Sequence, residues 1–329
     1  MSTRVLVVRY SALGDVVLAT SILAPLRERF PGAHVEWVTD ALYAPLLQGL
    51  PNVAAVHAIR RGEAGNSAQL RRELGGRFDV AIDLQNKVRT ALIVRSAAPR
   101  RITFRRRTPW QAISSAFGYD PPLNRTHATQ LYADALRPLG VGGPGPLEIS
   151  LSGEARARAG ELLAGVRSPV VALAPGARWP TKRWSPQRFA EVADVLAADG
   201  ASIVLAGGPG DRDAFSQLRA ALRAPVAADL SSLSIDALAA ALARVDLLVS
   251  NDSGPVHLAS AVGTPVLALY GPTSSIRWGP RAPGRALSLA LPCAPCSNHG
   301  GDRCPAGHHR CMKDLAPAAV IAAAREMLS

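Results

Sequence analysis

Val5-Leu-Val-Val8, followed by Arg9-Tyr-Ser-Ala-Leu-Gly-Asp15, is the stretch that decides the fold of the first half of this chain. Four consecutive aliphatic residues are typical of a strand that is buried on both faces, as in parallel sheets. Gly14 permits a tight turn after this strand, and residues 16–30 then predict a helix. The chain therefore begins with a βα unit, the repeating element of a doubly wound sheet.

The same alternation of short apolar runs and helical stretches continues along the chain. The predicted strands are residues 5–8, 34–38, 53–57, 79–84, 101–104, 170–174, 202–206, 246–250 and 265–269. The predicted helices are residues 16–30, 67–74, 88–97, 128–139, 186–198, 211–222, 235–243 and 317–328. Two successive sets of this kind predict an α/β protein with two Rossmann-like doubly wound domains and a ligand cleft between them.

A segment rich in helix and strand breakers, Val141-Gly-Gly-Pro-Gly-Pro146, is the best candidate for the linker between these domains. The predicted domains are therefore residues 1–150 and 151–312, followed by a C-terminal helical segment, residues 313–329. A length of 329 residues suits two domains of about 150 residues each.

The composition limits the class of protein. The chain is 48% hydrophobic and only 5% aromatic, which favours a packed core and argues against an aromatic platform for sugars or bases. No apolar run reaches the roughly 18 residues of a membrane span. The apolar run at the N-terminus is about five residues, shorter than the core of a secretory signal. We therefore expect a soluble, cytoplasmic protein.

The charge of the chain is strongly basic and unevenly distributed. The net charge is +12, and residues 1–150 carry 19 basic against 11 acidic side chains. Such a surface attracts anions, which include nucleic acid, an anionic membrane face and a phosphorylated substrate. The alternative is an ordinary solvated surface in a protein whose cations are nearly all arginine.

Asp15 is the first candidate functional residue, because it follows the strand at residues 5–8. A carboxylate there has a purely structural explanation, since it stabilises the helix N-terminus by about 0.3–1 kcal/mol. It also lies where a general base would face a cleft. The turn lacks the G-x-G-x-x-G pattern of dinucleotide-binding proteins.

A second candidate loop, residues 174–186, follows the first strand of the second half. Arg178, Lys182 and Arg183 place three cations beside free backbone amides, an arrangement that suits a diphosphate. Ser185 and Pro186 then predict the start of a helix. The alternative is an exposed basic loop without a ligand.

A third candidate loop is Asn251-Asp-Ser-Gly-Pro-Val-His257, which follows the strand at residues 246–250. Its polar residues are also ordinary helix caps. In the functional interpretation, Asp252 binds a ribose or sugar hydroxyl, while the Gly254 amide and His257 meet a phosphate. The loops at residues 207–211 and 269–273 end two further strands, and a Walker lysine motif is absent.

Together these motifs resemble glycosyltransferase family 9, the ADP-heptose:lipopolysaccharide heptosyltransferases. The matching pieces are residues 5–15, Pro175-Gly176, Lys182-Arg-Trp184, Asn251-Asp-Ser-Gly-Pro-Val-His257 and Ala268-Leu-Tyr-Gly-Pro272. The resemblance implies a glycosyltransferase-B architecture, with the acceptor on residues 1–150 and the nucleotide sugar on residues 151–312. It also implies that residues 313–329 cross back onto the first domain.

The resemblance further implies an inverting transfer of heptose from ADP-L-glycero-D-manno-heptose to the lipopolysaccharide inner core, without a required cofactor. Asp15 would deprotonate the acceptor hydroxyl, and Lys182 would neutralise the departing diphosphate. The implied donor-binding residues are Arg178, Thr181, Lys182, Asp252, Ser253, Gly254 and His257. The implied acceptor-binding residues are Ser11, Lys87, Arg89, Arg105, Arg106 and Arg107. Ala177 and Arg178 stand where the family often has hydroxylated residues, so Arg178 is expected to contact phosphate electrostatically.

The partners that follow are ADP-heptose, a lipid A inner-core acceptor and, peripherally, the anionic cytoplasmic face of the inner membrane. A different donor or acceptor within the same family is the nearest alternative. A basic nucleic-acid-binding protein is a distant one, which the doubly wound pattern and low aromatic content disfavour.

All four cysteines fall late in the chain, at Cys293, Cys296, Cys304 and Cys311, with the spacing C-x2-C-x7-C-x6-C. Four thiolates would complete a tetrahedral structural zinc site, but the second half lacks the paired spacing of common zinc sites. Reduced thiols and a redox pair are the alternatives, because structural disulfides are disfavoured in the cytoplasm.

Overall fold

The computed structural model describes residues 2–60, 66–104, 125–281 and 283–329. The chain divides into two compact units, residues 1–150 and 151–329. Each unit contains one parallel sheet with helices around it, which confirms the predicted α/β class.

The first unit is built on a five-stranded sheet in the order β3-β2-β1-β4-β5, with every pair parallel. Its strands are β1 Arg4–Val8, β2 His34–Asp40, β3 Ala55–Ile59, β4 Val80–Asp83 and β5 Arg100–Thr103. Its helices are α1 Leu13–Ala19, α2 Leu23–Arg29, α3 Asn66–Leu74, α4 Val88–Ala97 and α5 Ala128–Ala135. The central strand β1 has residues 5–8 fully buried, as its apolar run predicts.

The helix expected over residues 16–30 is interrupted, which corrects the sequence analysis. A 3-10 turn, Thr20–Ile22, separates α1 from α2. The hydroxyls of Thr20 and Ser21 donate to the carbonyls of Val17 and Leu18, three residues earlier, at 2.7 Å each. Such side-chain bonds compete with the regular helical pattern and tighten the turn.

The second unit is built on a six-stranded parallel sheet in the order β11-β10-β9-β6-β7-β8. Its strands are β6 Val170–Ala174, β7 Ser202–Leu205, β8 Val226–Asp229, β9 Leu247–Asn251, β10 Val266–Tyr270 and β11 Gly284–Ser288. Its helices are α6 Gly153–Leu162, α7 Pro186–Ala198, α8 Arg212–Ala221, α9 Ile235–Leu242, α10 Gly254–Val262, α11 Ser275–Trp278, α12 Arg310–Lys313 and α13 Pro317–Leu328.

The C-terminal helix α13 packs within the second unit. Val320, Ala323 and Ala324 are buried in the same apolar cluster as Trp184 and Phe189, and α13 contacts α7. The implied packing of residues 313–329 on the first domain stays a prediction. No helix in the described ranges is long and apolar enough to cross a membrane.

The strand order decides which loops can meet. In the first unit β1 lies between β2 and β4, so the loops after these three strands share one sheet edge. In the second unit β9 lies between β6 and β10, and the loops after these strands are likewise neighbours. The carboxyl edge of a parallel sheet is where ligands bind in doubly wound folds.

Candidate functional site

Asp15 lies in the first turn of α1, directly beyond the carboxyl end of β1. Its Oδ1 is 2.5 Å from Arg9 Nη2 and accepts a 2.9 Å hydrogen bond from the Tyr132 hydroxyl. The Ala12 amide donates to Oδ2 at 3.3 Å. The Asp15 side chain keeps 13% of its surface exposed, so the carboxylate is held in place and still reaches the sheet edge.

Arg9 is the charged group that balances Asp15. Its side chain is completely buried, and its guanidinium donates to the Leu84 carbonyl and lies over the Tyr132 ring. Burial lowers the pKa of Arg9, but the charges of Asp15 and Tyr132 and the hydrogen bond to Asp15 together outweigh burial and raise that pKa above its ordinary value. A buried guanidinium that stays protonated favours a neighbouring ionised carboxylate, the form of a general base that accepts a proton.

The loops after β1 and β4 are joined by Gln85. Its Oε1 accepts hydrogen bonds from the amides of Tyr10 at 3.2 Å and Ser11 at 3.3 Å. The loop after β4 is fixed in turn by Asp83, whose Oδ1 accepts from the Gln85 and Asn86 amides at 2.9 and 2.8 Å. Ser11 and the N-terminus of α4 therefore lie together at the carboxyl ends of β1 and β4.

The predicted acceptor cations Lys87 and Arg89 lie at this edge. Lys87 is the N-cap residue of α4, and both side chains are exposed. Burial raises the pKa of Tyr10, and the charge of Arg89 opposes that rise, which places Arg89 near the β1 loop. The predicted residues Arg105, Arg106 and Arg107 lie outside the described residues.

In the second unit the structure joins Lys182 to Asp252. Lys182 Nζ is 2.7 Å from Asp252 Oδ2, and the Thr273 hydroxyl donates to the same oxygen at 2.5 Å. The Lys182 and Asp252 side chains are 14% and 5% exposed. These three residues come from the loops after β6, β9 and β10, so the predicted lysine and aspartate form one cluster.

The N-terminus of α10 lies beside this cluster. Ser253 is the N-cap residue, and α10 begins at Gly254 and runs for nine residues. His257 follows one turn later and is 5% exposed. The amides of a first helical turn and the helix dipole attract anions, so this terminus suits a phosphate group.

The remaining predicted donor residues, Thr181 and Arg178, are placed differently. The buried Thr181 hydroxyl donates to the Gly301 carbonyl and accepts from the Gly301 amide, both at 2.8 Å. His309 Nε2 lies 2.7 Å from the Thr181 carbonyl oxygen. The Thr181 side chain therefore attaches the loop after β6 to the cysteine-rich segment, whereas Arg178 is exposed and stacks over Trp179.

Gly176 allows the loops after β6 and β7 to approach each other. A Cβ at this position would come within 1.9 Å of Asp211 Oδ1. Asp211 in turn accepts a 2.9 Å hydrogen bond from the Gly208 amide. The glycine of the predicted Pro175-Gly176 motif is therefore explained by close packing.

The four cysteines are free thiols. Burial raises the pKa of the Cys311 thiol to about 11 and also raises the pKa of Cys296. Among the described residues, which include all four cysteines, no group of three or more His, Cys, Asp or Glu side chains is arranged to hold a metal ion. The predicted zinc site at Cys293, Cys296, Cys304 and Cys311 therefore has no support from the geometry.

Several residues of these two clusters were missed by the sequence analysis. Arg9 belongs to the quoted first turn, but its burial gives no sequence signal. Tyr132 is 117 positions from Asp15 and has no local signal at all. Gln85 and Thr273 each follow a predicted strand closely, so a search for polar residues at strand ends would have found them.

Comparisons with known proteins identify relatives over the whole chain. The sequence model of the family described as glycosyltransferase family 9 (heptosyltransferase) matches residues 67–303. The chain is 28% identical to lipopolysaccharide heptosyltransferase 2 of Salmonella typhimurium, with 99% of each chain covered. It is 29% identical to lipopolysaccharide heptosyltransferase 1 of Pseudomonas aeruginosa, with 89% and 86% covered.

Among solved structures, the family 9 glycosyltransferase of Veillonella parvula superimposes with a TM-score of 0.82. It is 26% identical, and 99% of this chain and 97% of that chain are covered. The E. coli ADP-heptose heptosyltransferase II has a TM-score of 0.75 at 24% identity, covering 99% and 98%. These neighbours support the predicted two-sheet architecture and do not favour a nucleic-acid-binding protein.

Proposed function

Since this chain belongs to glycosyltransferase family 9, the heptosyltransferases, we propose that it transfers heptose from ADP-L-glycero-D-manno-heptose to the inner core of lipopolysaccharide. Relatives named lipopolysaccharide heptosyltransferase 1, 2 and 3 support this class of acceptor. The observation that carries the proposal is the Asp15 carboxylate, held beside a buried arginine at the carboxyl edge of β1. We assign the acceptor to residues 1–150 and the donor to residues 151–312.

Asp15 acts as the general base in this proposal. It takes the proton from the acceptor hydroxyl as that oxygen attacks the anomeric carbon of the donor. Arg9 and Tyr132 both bind Oδ1, and these contacts fix the orientation of the carboxylate that accepts the proton. Arg9 remains a cation throughout and favours the ionised form of Asp15 before the proton is transferred, while the negative charge released by the reaction leaves with the diphosphate.

Lys182 acts on the leaving group. In the structure its ammonium is paired with the Asp252 carboxylate. In the donor complex the ammonium pairs with the diphosphate instead. The Gly254 amide, at the start of α10, contacts the same diphosphate, with Ser253 and His257 beside it. Asp252, still held by the Thr273 hydroxyl, then accepts a hydrogen bond from a donor hydroxyl.

The stereochemistry follows from using one base and one stabilised leaving group. A single displacement, in which the acceptor attacks opposite the departing ADP, inverts the anomeric configuration. A carboxylate is a weak base for a neutral hydroxyl. Much of the barrier must therefore be lowered by charge stabilisation at the diphosphate, which is the role given to Lys182.

Ser11, Lys87 and Arg89 bind the acceptor, together with the predicted Arg105, Arg106 and Arg107. The inner core is acidic, and because single ion contacts at the surface are weak, several cations must act together to bind it. Gln85 supports this group by fixing the Ser11 amide. An acceptor of this kind explains why the first unit is the more basic one.

The test is turnover of ADP-heptose with purified lipid A core acceptors, comparing wild type with Asp15→Asn. Asparagine keeps the size of the side chain and an oxygen for Tyr132 but cannot take the proton. We expect kcat to fall by about 10²–10⁴-fold while ADP affinity is unchanged. Transfer from another nucleotide sugar alone would favour the nearest alternative in the family, and absent ADP binding would refute the proposal.

A further inference from the structure

Three large apolar side chains of the first unit are exposed within its described residues. Leu42, Val88 and Leu92 have 62%, 81% and 43% of their surfaces accessible. Leu42 lies two residues beyond β2, and Val88 begins α4 just after β4. Because β2 and β4 are the two neighbours of β1, these apolar side chains flank the loop that carries Asp15.

Helix α4 has two apolar faces, which is unusual for a surface helix. Its inner face packs into the core of the unit through Ile93, Val94 and Ala97. Val88 and Leu92 are four residues apart and therefore lie together on the outer face, where Arg95 follows one turn later. All three side chains are exposed.

The surroundings of this outer face are cationic. Residues 84–104 contain five basic and no acidic side chains. Lys87, Arg89 and Arg95 are exposed and border the apolar pair, Val88 and Leu92. Exposed aliphatic side chains inside a ring of cations are the combination that binds membrane interfaces, where aliphatic groups enter the acyl boundary and cations bind headgroups.

We propose that this surface, formed by Leu42, Lys87, Val88, Arg89, Leu92 and Arg95 and named here the docking edge, binds the surface of an anionic phospholipid bilayer. The proposal rests on the proposed function only in taking the acceptor to be anchored in that bilayer. Docking at this edge would bring the Asp15 loop to the depth at which the sugar of a lipid-anchored acceptor emerges.

The size and chemistry of the docking edge favour a bilayer over a macromolecular partner. Stable protein interfaces bury about 1,200–2,000 Å², far more than two or three aliphatic side chains provide. Single-stranded nucleic acid is bound by aromatic stacking, and the exposed apolar residues here are aliphatic. A bilayer requires neither a groove nor a matched shape, only insertion and opposite charge.

Co-sedimentation with vesicles tests this surface without any acceptor. The vesicles are phosphatidylcholine alone or phosphatidylcholine mixed with phosphatidylglycerol. We expect wild type to bind the anionic vesicles, to bind the neutral ones at least about tenfold less, and to be released as salt is raised. The double substitution Val88→Gln, Leu92→Gln removes the aliphatic side chains without adding charge beside Lys87 and Arg89, and it should weaken binding to anionic vesicles by about tenfold or more.

The matched control is Ile276→Gln, which replaces an aliphatic side chain of the second unit that is 59% exposed by the same neutral side chain. We expect it to bind anionic vesicles within about twofold of wild type, since the side chains of the docking edge are unchanged. Thermal unfolding of all variants should be unchanged, because the substituted side chains are exposed. Equal binding by wild type and the double variant, or equal binding to both kinds of vesicle, would overturn the proposal.

Turnover separates failure of this surface from failure of the proposed function. With an acceptor whose acyl chains have been removed, the double variant should keep wild-type kcat/KM. With the same acceptor embedded in anionic vesicles, it should lose about tenfold, in line with its lost binding. Vesicle binding without any heptose transfer would refute the function alone, and transfer without vesicle binding would refute the docking edge alone.

Discussion

The cation that pairs with Asp15 in the first unit is completely buried, whereas the cation that pairs with Asp252 in the second reaches solvent. Arg9 has no exposed surface, while Lys182 keeps 14%. A buried guanidinium with fixed partners cannot exchange them at low cost. A partly exposed ammonium on a flexible stem can. This difference predicts that the Arg9–Asp15 pair stays closed and that the Lys182–Asp252 pair opens when an anionic ligand binds.

The largest expected effect is a loss of folding stability when the buried cation of the first pair, Arg9, is replaced. Arg9→Met should lower the free energy of unfolding by about 3 kcal/mol, because Asp15 is left without its buried counter-charge. Urea unfolding measures this loss, and Arg9→Lys, which keeps the charge, should recover part of it. The stabilisation of the protein by bound ADP should persist in Arg9→Met. Loss of that stabilisation would mean that Arg9 belongs to the donor site instead.

The next largest effect concerns the ion pair between Lys182 and Asp252. Lys182→Met should weaken ADP binding by about 10- to 100-fold, the amount expected for a lost hydrogen bond between charged groups. Isothermal titration at two salt concentrations measures it, and the variant should show the shallower salt dependence. Lys313→Met removes another lysine, an exposed one in α12, and serves as the matched control. Equal ADP affinity in wild type and Lys182→Met would contradict the exchange.

A smaller effect is expected when the hydrogen bond from the Tyr132 hydroxyl to Asp15 is removed. Tyr132→Phe should lower kcat by about 3- to 10-fold, less than the full value of a hydrogen bond to a charged group, because Arg9 and the Ala12 amide still bind the carboxylate. The acidic limb of the kcat/KM profile should also move to higher pH. The sign follows because the hydroxyl donates to the ionised carboxylate, and its removal makes protonation easier. The pKa of Arg9 is raised, so Arg9 stays protonated across this range and does not contribute to the limb.

An unchanged limb in Tyr132→Phe would show that the hydroxyl contributes only to packing. Tyr132 also stacks edge-on against Phe104, with ring centroids 5.0 Å apart, and phenylalanine keeps that contact. The substitution therefore removes the hydrogen bond without removing the ring.

The smallest effect concerns Arg178, which is exposed and stacks over Trp179. Arg178→Ala should weaken ADP binding by about two- to fivefold, because exposed ion contacts are largely screened. The slope of affinity against salt should become shallower. An effect as large as that of Lys182→Met would mean that Arg178 is a principal ligand of the diphosphate.

Much of the fold follows from the sequence because its signals are local. The buried strand β6, Val170–Ala174, and the helices α4, α7 and α13 have the predicted bounds. Strands β8 and β11 were missed because they are short, half-buried edge strands without an apolar run. Helix α6 was missed as well, since Gly153–Leu162 alternates small and charged residues.

The residues of the candidate site also differ in whether a local sequence signal identifies them. Asp15, Lys182 and Asp252 stand in motifs at strand ends and were identified from them. The residues that hold them, Arg9, Tyr132 and Thr273, owe their role to contacts made by folding. Thr181 was assigned to the donor by its position beside Lys182, yet its hydroxyl bonds Gly301, 120 residues later. Such pairings depend on which strands are neighbours, which no local pattern specifies.

The hydrogen bonds and ion pairs described for Asp15 all come from residues 1–150, and those described for Lys182 and Asp252 all come from residues 151–329. Each of the two clusters is therefore built within its own half of the chain. During synthesis the contacts of Asp15 can form before the second half has left the ribosome. If the proposed roles hold, the half assigned to the acceptor can diverge in evolution while the half assigned to the nucleotide is inherited unchanged.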